Sequence, residues 1–264
     1  MLLFQCNCRQ MPDSQEYLAK KAQFDQLLTV YGRKPVLEAI SDSGLQPERL
    51  HLSNNNKSAD IIKDILHWAD KRNVEIRQHQ PAALARISKN AKQDQGVALD
   101  VRCPDHQQLE DFLTSPPDKF RLIALDGITN PQNLGMIIRS VAASPCDGLL
   151  VSRRDTPKLS PLVIKASAGT LFKAPLIRLD KLGVGLKQLQ ELGTEICVLD
   201  SNASTDFAAL ASADKVVYVL GNETEGVSRE IIGMATQRVA IPMCRGVESL
   251  NVAVTAALVA FNSA

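Results

Sequence analysis

From Phe120 onward, short apolar runs alternate with helix-like patterns, and that rhythm constrains the fold more than any other feature of the chain. The runs cover residues 122–125, 148–151, 176–179, 195–199, 216–220 and 239–241. Their length suits buried strands better than helices of the same burial. Strands separated by helices pair in parallel, because the crossover carries the chain back along one face of the sheet. An α/β fold is therefore expected for residues 119–264, with a mostly parallel sheet and helices on both faces.

Upstream the pattern changes. Val36, Leu37 and Ile40 fall on one face of a short helix, and Ile61, Ile62, Ile65, Trp68 and Ala69 form an apolar stripe along residues 59–72. Weaker strand signals stand at 50–52, 74–76 and 96–101. Residues 27–103 are thus expected to form a small α/β domain of their own. Residues 104–118 turn polar around Ser115-Pro116-Pro117 and read as a linker, with room for a short helix in the middle. Residues 1–26 are polar after the first four and read as an N-terminal extension.

Composition bears on partners and compartment. With 45% hydrophobic and 22% charged residues over 264 positions, the chain can bury a core. Its net charge of +1 gives no global attraction for nucleic acid, so any RNA surface must be a local patch. Of six cysteines only Cys6 and Cys8 are close in sequence, and no paired zinc spacing occurs. No apolar run matches a membrane span and no secretory segment is evident. A reduced cytoplasmic protein without membrane or metal is expected.

Three segments concentrate polar and glycine residues near strand ends. The first runs from Asp126 to Ser140: a strand end, a turn-rich loop, then a helix with Leu134, Ile137, Ile138 and Val141 on its apolar face. Asn133 suits the helix N-cap there, and Gly135, one turn before Arg139, leaves the guanidinium uncrowded. The second, Gly221-Asn222-Glu223-Thr224-Glu225-Gly226, brackets two carboxylates with glycines at a strand's carboxyl end, where ligands of open α/β sheets gather. The third runs from Ile241-Pro242-Met243 to Glu248-Ser249-Leu250-Asn251-Val252. There Ser249 suits the N-cap of a last helix with Leu250, Val254, Ala257, Leu258 and Phe261 facing inward. Singly, each segment is also an ordinary capped turn. None carries a dinucleotide or nucleoside-triphosphate loop, and no histidine lies near enough for a nucleophilic triad.

Taken together and in this order, the segments resemble the SpoU/TrmH family of RNA 2′-O-ribose methyltransferases. The similar residues are Asn133-Leu134-Gly135 with Arg139, the Gly221–Gly226 loop, and Ile241-Pro242-Met243 with Glu248-Ser249-Leu250-Asn251-Val252; Ala166-Ser167-Ala168-Gly169-Thr170-Leu171 is similar to the family's interior. Residues 27–103 more weakly resemble the small RNA-binding domain often found ahead of it, although Asp94 stands where a histidine is common. The resemblance implies S-adenosylmethionine as methyl donor, a homodimer, and a deep trefoil knot that periodicity alone does not suggest. It implies catalytic or positioning roles for Asn133, Arg139, Glu223, Ser249 and Asn251. It places the donor against Leu199, Gly221, Asn222, Gly226, Ile241, Met243 and Leu250.

The substrate expected is ribosomal or transfer RNA. The cations chosen for RNA contact are Arg33 and Lys34, at a helix start, and Arg153 and Arg154 in the larger domain. Three other readings compete: a catalytically inactive RNA-binding relative, a knotted enzyme that methylates a base, and a flavin or nicotinamide oxidoreductase. The first is opposed by retention of the five polar residues, the second by the Ser249-Leu250-Asn251 segment, and the third by the missing phosphate loop.

Overall fold

The structure, a computed structural model, describes residues 27–56, 59–102, 106–207 and 213–262. The expected extension over 1–26, together with Cys6, Cys8 and Cys103, lies outside these residues.

The small domain runs β1 (Leu27–Tyr31), α1 (Arg33–Ser41), β2 (Pro47–Ser53), α2 (Asp60–Lys71), β3 (Glu75–His79), α3 (Pro81–Ser88) and β4 (Val97–Arg102). Its sheet has the order β1-β4-β2-β3, with β4 antiparallel to both neighbours and β2 parallel to β3. Strand alternation sorts its residues onto two faces. Leu50, Leu52, Leu99 and Val101 join the core with Val36 and Ile40 of α1 and Ile62 and Ile65 of α2. His51 and Asp100 belong to the opposite face. His51 Nε2 lies 3.0 Å from Asp100, its Nδ1 lies 2.9 Å from His79 Nε2, and Thr29 donates to Asp100 at 2.8 Å. Burial pushes the Asp100 carboxyl up, but the hydrogen bonds from His51 and Thr29 outweigh it and hold the group below its ordinary range.

The larger domain contains β6 (Phe120–Leu125), α5 (Pro131–Ala142), β7 (Gly148–Ser152), α6 (Pro161–Ala166), β8 (Leu176–Leu179), α7 (Leu182–Glu191), β9 (Glu195–Leu199), β10 (Thr205–Asp206), β11 (Lys215–Leu220), α8 (Arg229–Ile232), β12 (Gln237–Ala240) and α9 (Val252–Phe261). With β5 (Gln107–Gln108) at one edge, its strands order as β10-β12-β9-β11-β6-β7-β8-β5, and every described pairing is parallel. One face packs α5, α6 and α9 around Ile123, Leu125 and Tyr218. The other packs α7 and α8 around Leu122, Ala124, Val217 and Val219. The expected parallel sheet with two covered faces is present.

The segment read as a linker is different. Residues 107–108 form β5, the edge strand beside β8, and Leu109–Thr114 form α4, whose Leu109 and Phe112 are buried. A two-residue strand and a six-residue helix are too short to leave a period in the sequence. The two domains also touch. Helix α6 packs on β1, and Lys173 pairs with Asp42 at 3.0 Å.

Helix starts differ from expectation in two places. Asn130, not Asn133, caps α5: its side chain accepts from Gln132 N at 2.8 Å, and Pro131 takes the first helical position, where no N–H is needed. Asn251, not Ser249, caps α9 by accepting from Ala253 N at 2.8 Å. The face of α9 is also reversed. Val252, Ala253, Ala256, Val259 and Ala260 are buried, whereas Leu250, Val254, Leu258 and Phe261 are exposed and Ala257 is half-buried. Among the described residues no helix is long and apolar enough to cross a membrane.

Candidate active site

Strands β9, β11 and β12 end side by side, and their carboxyl ends open into a cleft of about 580 Å³. Leu199, Leu220 and Val239 stand at those ends. All seven residues expected around the donor line this cleft: Leu199, Gly221, Asn222, Gly226, Ile241, Met243 and Leu250. Glu223 and Ser249 line it as well.

The 221–227 loop is braced internally. Asn222 and Gly226 exchange backbone hydrogen bonds of 3.0 and 2.9 Å, with Gly226 in the left-handed region at φ 71°. Gly221 presses against the backbone of Gly226 and Val227, so a side chain there would collide with main chain. The Asn222 side chain accepts from Thr224 N at 2.8 Å and Glu225 N at 3.2 Å, and donates to the Gly127 carbonyl at 2.8 Å. Asp126 accepts from Ser228 N at 2.6 Å. Two of the three sequence segments are thereby tied together. Asn222, chosen as a donor contact, spends its amide holding these loops.

The third segment joins through asparagines. Asn133 is buried inside the first turns of α5 and donates to Glu223. Asn251 donates to Asn133 at 3.3 Å. Asn133, Glu223 and Asn251, separated by 90 and 118 positions from Asn133, thus form one chain of contacts at the cleft. Arg139 is not part of it. It is exposed on α5, about 9 Å of helix rise beyond Asn133, and makes no side-chain hydrogen bond or ion pair among the described residues.

Gly135 serves packing and does not clear space for Arg139. A Cβ there would meet the Ala166 Cβ at 2.5 Å and the Val163 carbonyl at 2.7 Å, so the glycine lets α5 and α6 touch. Sequence reading also missed Asp200 and Arg238, an ion pair in the cleft wall. Burial pushes Asp200 up, but a hydrogen bond from Asn202 N and the Arg238 guanidinium hold it below its ordinary range. Below the cleft, burial beside Glu195 pushes the Cys197 thiol up to about 12, which leaves it protonated and inert.

The RNA candidates lie elsewhere. Arg33 is half-buried: its Nη2 donates to Asn56 at 2.8 Å and its Nε to the Gln95 carbonyl at 3.4 Å, so most of its fork is spent inside the domain. Lys34 is exposed. Arg153, at the end of β7, donates to Gln108 at 3.1 Å and faces Asp180 at 3.6 Å, and the neighbouring Arg154 is exposed. Among the described residues no group of three His, Cys, Asp or Glu side chains is arranged to hold a metal ion.

Comparison with known proteins adds independent findings. Residues 120–261 match the SpoU rRNA methylase family, and residues 29–107 match the family described as RNA 2′-O ribose methyltransferase substrate binding. A Mycobacterium ulcerans protein described as an uncharacterized tRNA/rRNA methyltransferase is 30% identical over 93% of this chain and 79% of its own length. One from Mycolicibacterium vanbaalenii is 31% identical over 87% and 74%. Among solved structures, the AdoMet-bound rRNA methyltransferase from Sinorhizobium meliloti superposes with TM-score 0.70 at 21% identity, covering 91% of this chain and 88% of that one. The SpoU methyltransferase AviRb from Streptomyces viridochromogenes, in complex with AdoMet, gives 0.70 at 22% over 91% and 90%.

Proposed function

Because the chain belongs to the SpoU rRNA methylase family, we propose that it methylates a ribose 2′-hydroxyl of ribosomal or transfer RNA with S-adenosylmethionine as donor. The observation that carries this reading is the Asn133–Glu223–Asn251 chain beside a cleft lined by all the residues expected to hold the donor. The cleft fits such a ligand: its volume lies in the range of small-molecule sites, and Leu199, Leu220, Val239 and Ile241 give an adenine an apolar bed. Gly221 leaves main chain free to approach it. The donor supplies a methyl group on a positively charged sulfonium.

With the donor bound, its methyl would pass to the ribose oxygen and its sulfur would leave as a neutral thioether, so the hydroxyl proton has to be carried away to solvent. Asn133 and Asn251 fix the position of the attacking ribose, with Glu223 holding the Asn133 amide and Ser249 at the cleft rim. Arg139 is a poor base because it stays protonated, so its role is to grip an RNA phosphate, which relays the proton. Its free guanidinium suits that task.

Two further parts of the reading rest on topology and surface. Strand β12 lies beyond β9, yet α9 returns to pack on α5, β6 and β11, so the chain crosses back over the cleft loops. That return is the crossing from which a trefoil knot is tied. The apolar outward stripe of α9 is the surface for a homodimer. A cytoplasmic location goes with an RNA substrate of this kind.

Mapping 2′-O-methyl positions in total RNA from cells with and without the protein tests the reaction. Loss of one ribose methyl without the protein is the expected result, and an unchanged map alongside a changed base methylation would replace it. Donor binding by calorimetry should survive in a fragment starting at residue 106. A cut at 119 would strip β5 and α4 from the sheet.

A further inference from the structure

The two domains enclose a second cavity, of about 360 Å³, apart from the cleft. Its floor is apolar: Val30, Ala39 and Leu45 come from the small domain, Ile164 and Phe172 from the larger one. Lys34 and Lys165 line it from opposite sides, and both are exposed. Lys173 also lines it, but its charge is spent on Asp42. Neither Lys34 nor Lys165 has a carboxylate partner among the described residues. Lys165 instead donates to Gln93 and sits 5.9 Å above the Tyr31 ring.

The positive charge continues beyond the cavity. Gln93 belongs to the loop between α3 and β4, which also carries Lys89 and Lys92, both exposed and without ion pairs among the described residues. The loop's carboxylate, Asp94, is buried and bonded inward to Ser88 at 2.9 Å and Gly96 N at 3.0 Å. Asp94 therefore shapes the loop and leaves its outer surface cationic. Several other cations of the small domain are neutralised: Arg49 and Arg77 by Glu75, Arg102 by Glu48, Lys63 by Asp60.

We propose that the cavity between the domains takes one unpaired nucleotide of the RNA substrate, its base on the apolar floor and its phosphate between Lys34 and Lys165. This inference rests on the RNA-methyltransferase reading. An RNA that delivers a ribose to the cleft while held by the small domain has to cross the seam between them. Proteins that read RNA by sequence do so on splayed-out bases, and a pocket of nucleotide size with cations on two sides meets that need. Glu38, also lining the cavity, is an acceptor for a base amino group. Lys89 and Lys92 extend the phosphate track.

The test uses the full chain and a short single-stranded RNA pool carrying 4-thiouridine, together with calorimetry of S-adenosylmethionine. Photocrosslinks should fall on residues 30–45 or 161–173. The double variant Lys34→Gln/Lys165→Gln should lose about tenfold in RNA affinity, in the range of one stacked base. The slope of log affinity against log salt should also drop by about 0.7, the value for one phosphate contact on a single strand. Donor affinity should not move, so failure here is separable from failure of the methyltransferase reading. Lys165→Arg should recover most of the affinity. Crosslinks confined to residues 199–251, or an unchanged salt slope, would overturn the proposal. So would a Gln93→Ala variant with the same RNA defect, since that change breaks the interdomain bond without removing charge. Competition by millimolar UMP as effective as by the oligonucleotide would assign the cavity to free nucleotide and overturn its assignment to RNA.

Discussion

Helices α5 and α9 pack against each other beside the cleft, and their surfaces are used in opposite ways. On α5 the stripe Leu134, Ile137, Ile138 and Val141 is fully buried, and the outward face carries Arg139. On α9 small residues, Ala253, Ala256 and Ala260 with Val252 and Val259, turn inward, while Val254, Leu258 and Phe261 stand 46–52% exposed. One helix presents chemistry to solvent and the other presents grease. A polar outward face needs nothing further to be stable in water, whereas an apolar one implies a partner. On the proposed reading the pair divides the work: α5 would carry the reaction's cation, Arg139, and α9 would carry the contact with a second copy.

The largest expected effect breaks the α5 side. Arg139→Ala should lower methyl transfer by at least about 10²–10³-fold, the scale for removing one charge-stabilising group from a transition state. Donor affinity should stay the same, because Arg139 does not line the cleft. Arg139→Lys should fail nearly as badly, since a point charge cannot reproduce the planar fork on a phosphate. Transfer of labelled methyl to RNA, read beside donor calorimetry, checks both. Near wild-type turnover in Arg139→Ala would remove the arginine from the mechanism and leave α5 purely structural.

The same contrast explains which elements were legible in the sequence. The α5 stripe stood out because polar neighbours frame it, and six of the eight strands of the larger sheet stood out because turns bound each apolar run. Helix α9 is apolar all round, so its phase is undetermined by pattern, and its larger side chains pointed to the wrong face. Buried alanines are what close packing on α5 requires, and that is a property of the partner helix. The caps were misplaced by short shifts, because Asn130 and Asn133, or Ser249 and Asn251, suit a cap equally until the helix start is known. Of the side chains left over, Ser249 lines the cleft and Asn133 bonds to Glu223, which lines it. The His51–Asp100 contact joins positions 49 apart and carries no local signal at all.

An intermediate effect breaks the α9 side. Leu258→Asp and Phe261→Asp should each weaken self-association by roughly 30-fold or more, the scale of an interface residue worth about 2 kcal/mol. The monomer should remain folded, because both side chains are about half exposed within one chain. Sedimentation equilibrium together with thermal unfolding separates the two outcomes. A variant that stays dimeric would move the interface away from α9, and the comparison with α5 would then lack its second half.

The smallest effect concerns the inward side of α5, where Gly135 meets α6. In an isolated helix, Gly→Ala stabilises by up to about 1 kcal/mol through backbone entropy. Here the new methyl would lie 2.5 Å from the Ala166 Cβ, 2.7 Å from the Val163 carbonyl oxygen and 3.0 Å from Ser167 N. Two of those three are main-chain atoms and the third is itself a Cβ, so none can rotate out of the way. Relief requires α5 and α6 to separate by several tenths of an ångström, at an overpacking cost of about 1–3 kcal/mol. That cost exceeds the propensity gain, so Gly135→Ala should lower stability by up to about 2 kcal/mol in urea unfolding. Separation of the helices would also shift Asn133, two residues before Gly135, against Glu223, so activity should fall further than stability alone accounts for. A stabilised Gly135→Ala protein with full activity would show that the α5–α6 contact yields freely. The inward face of α5 would then be as tolerant as its outward face is demanding.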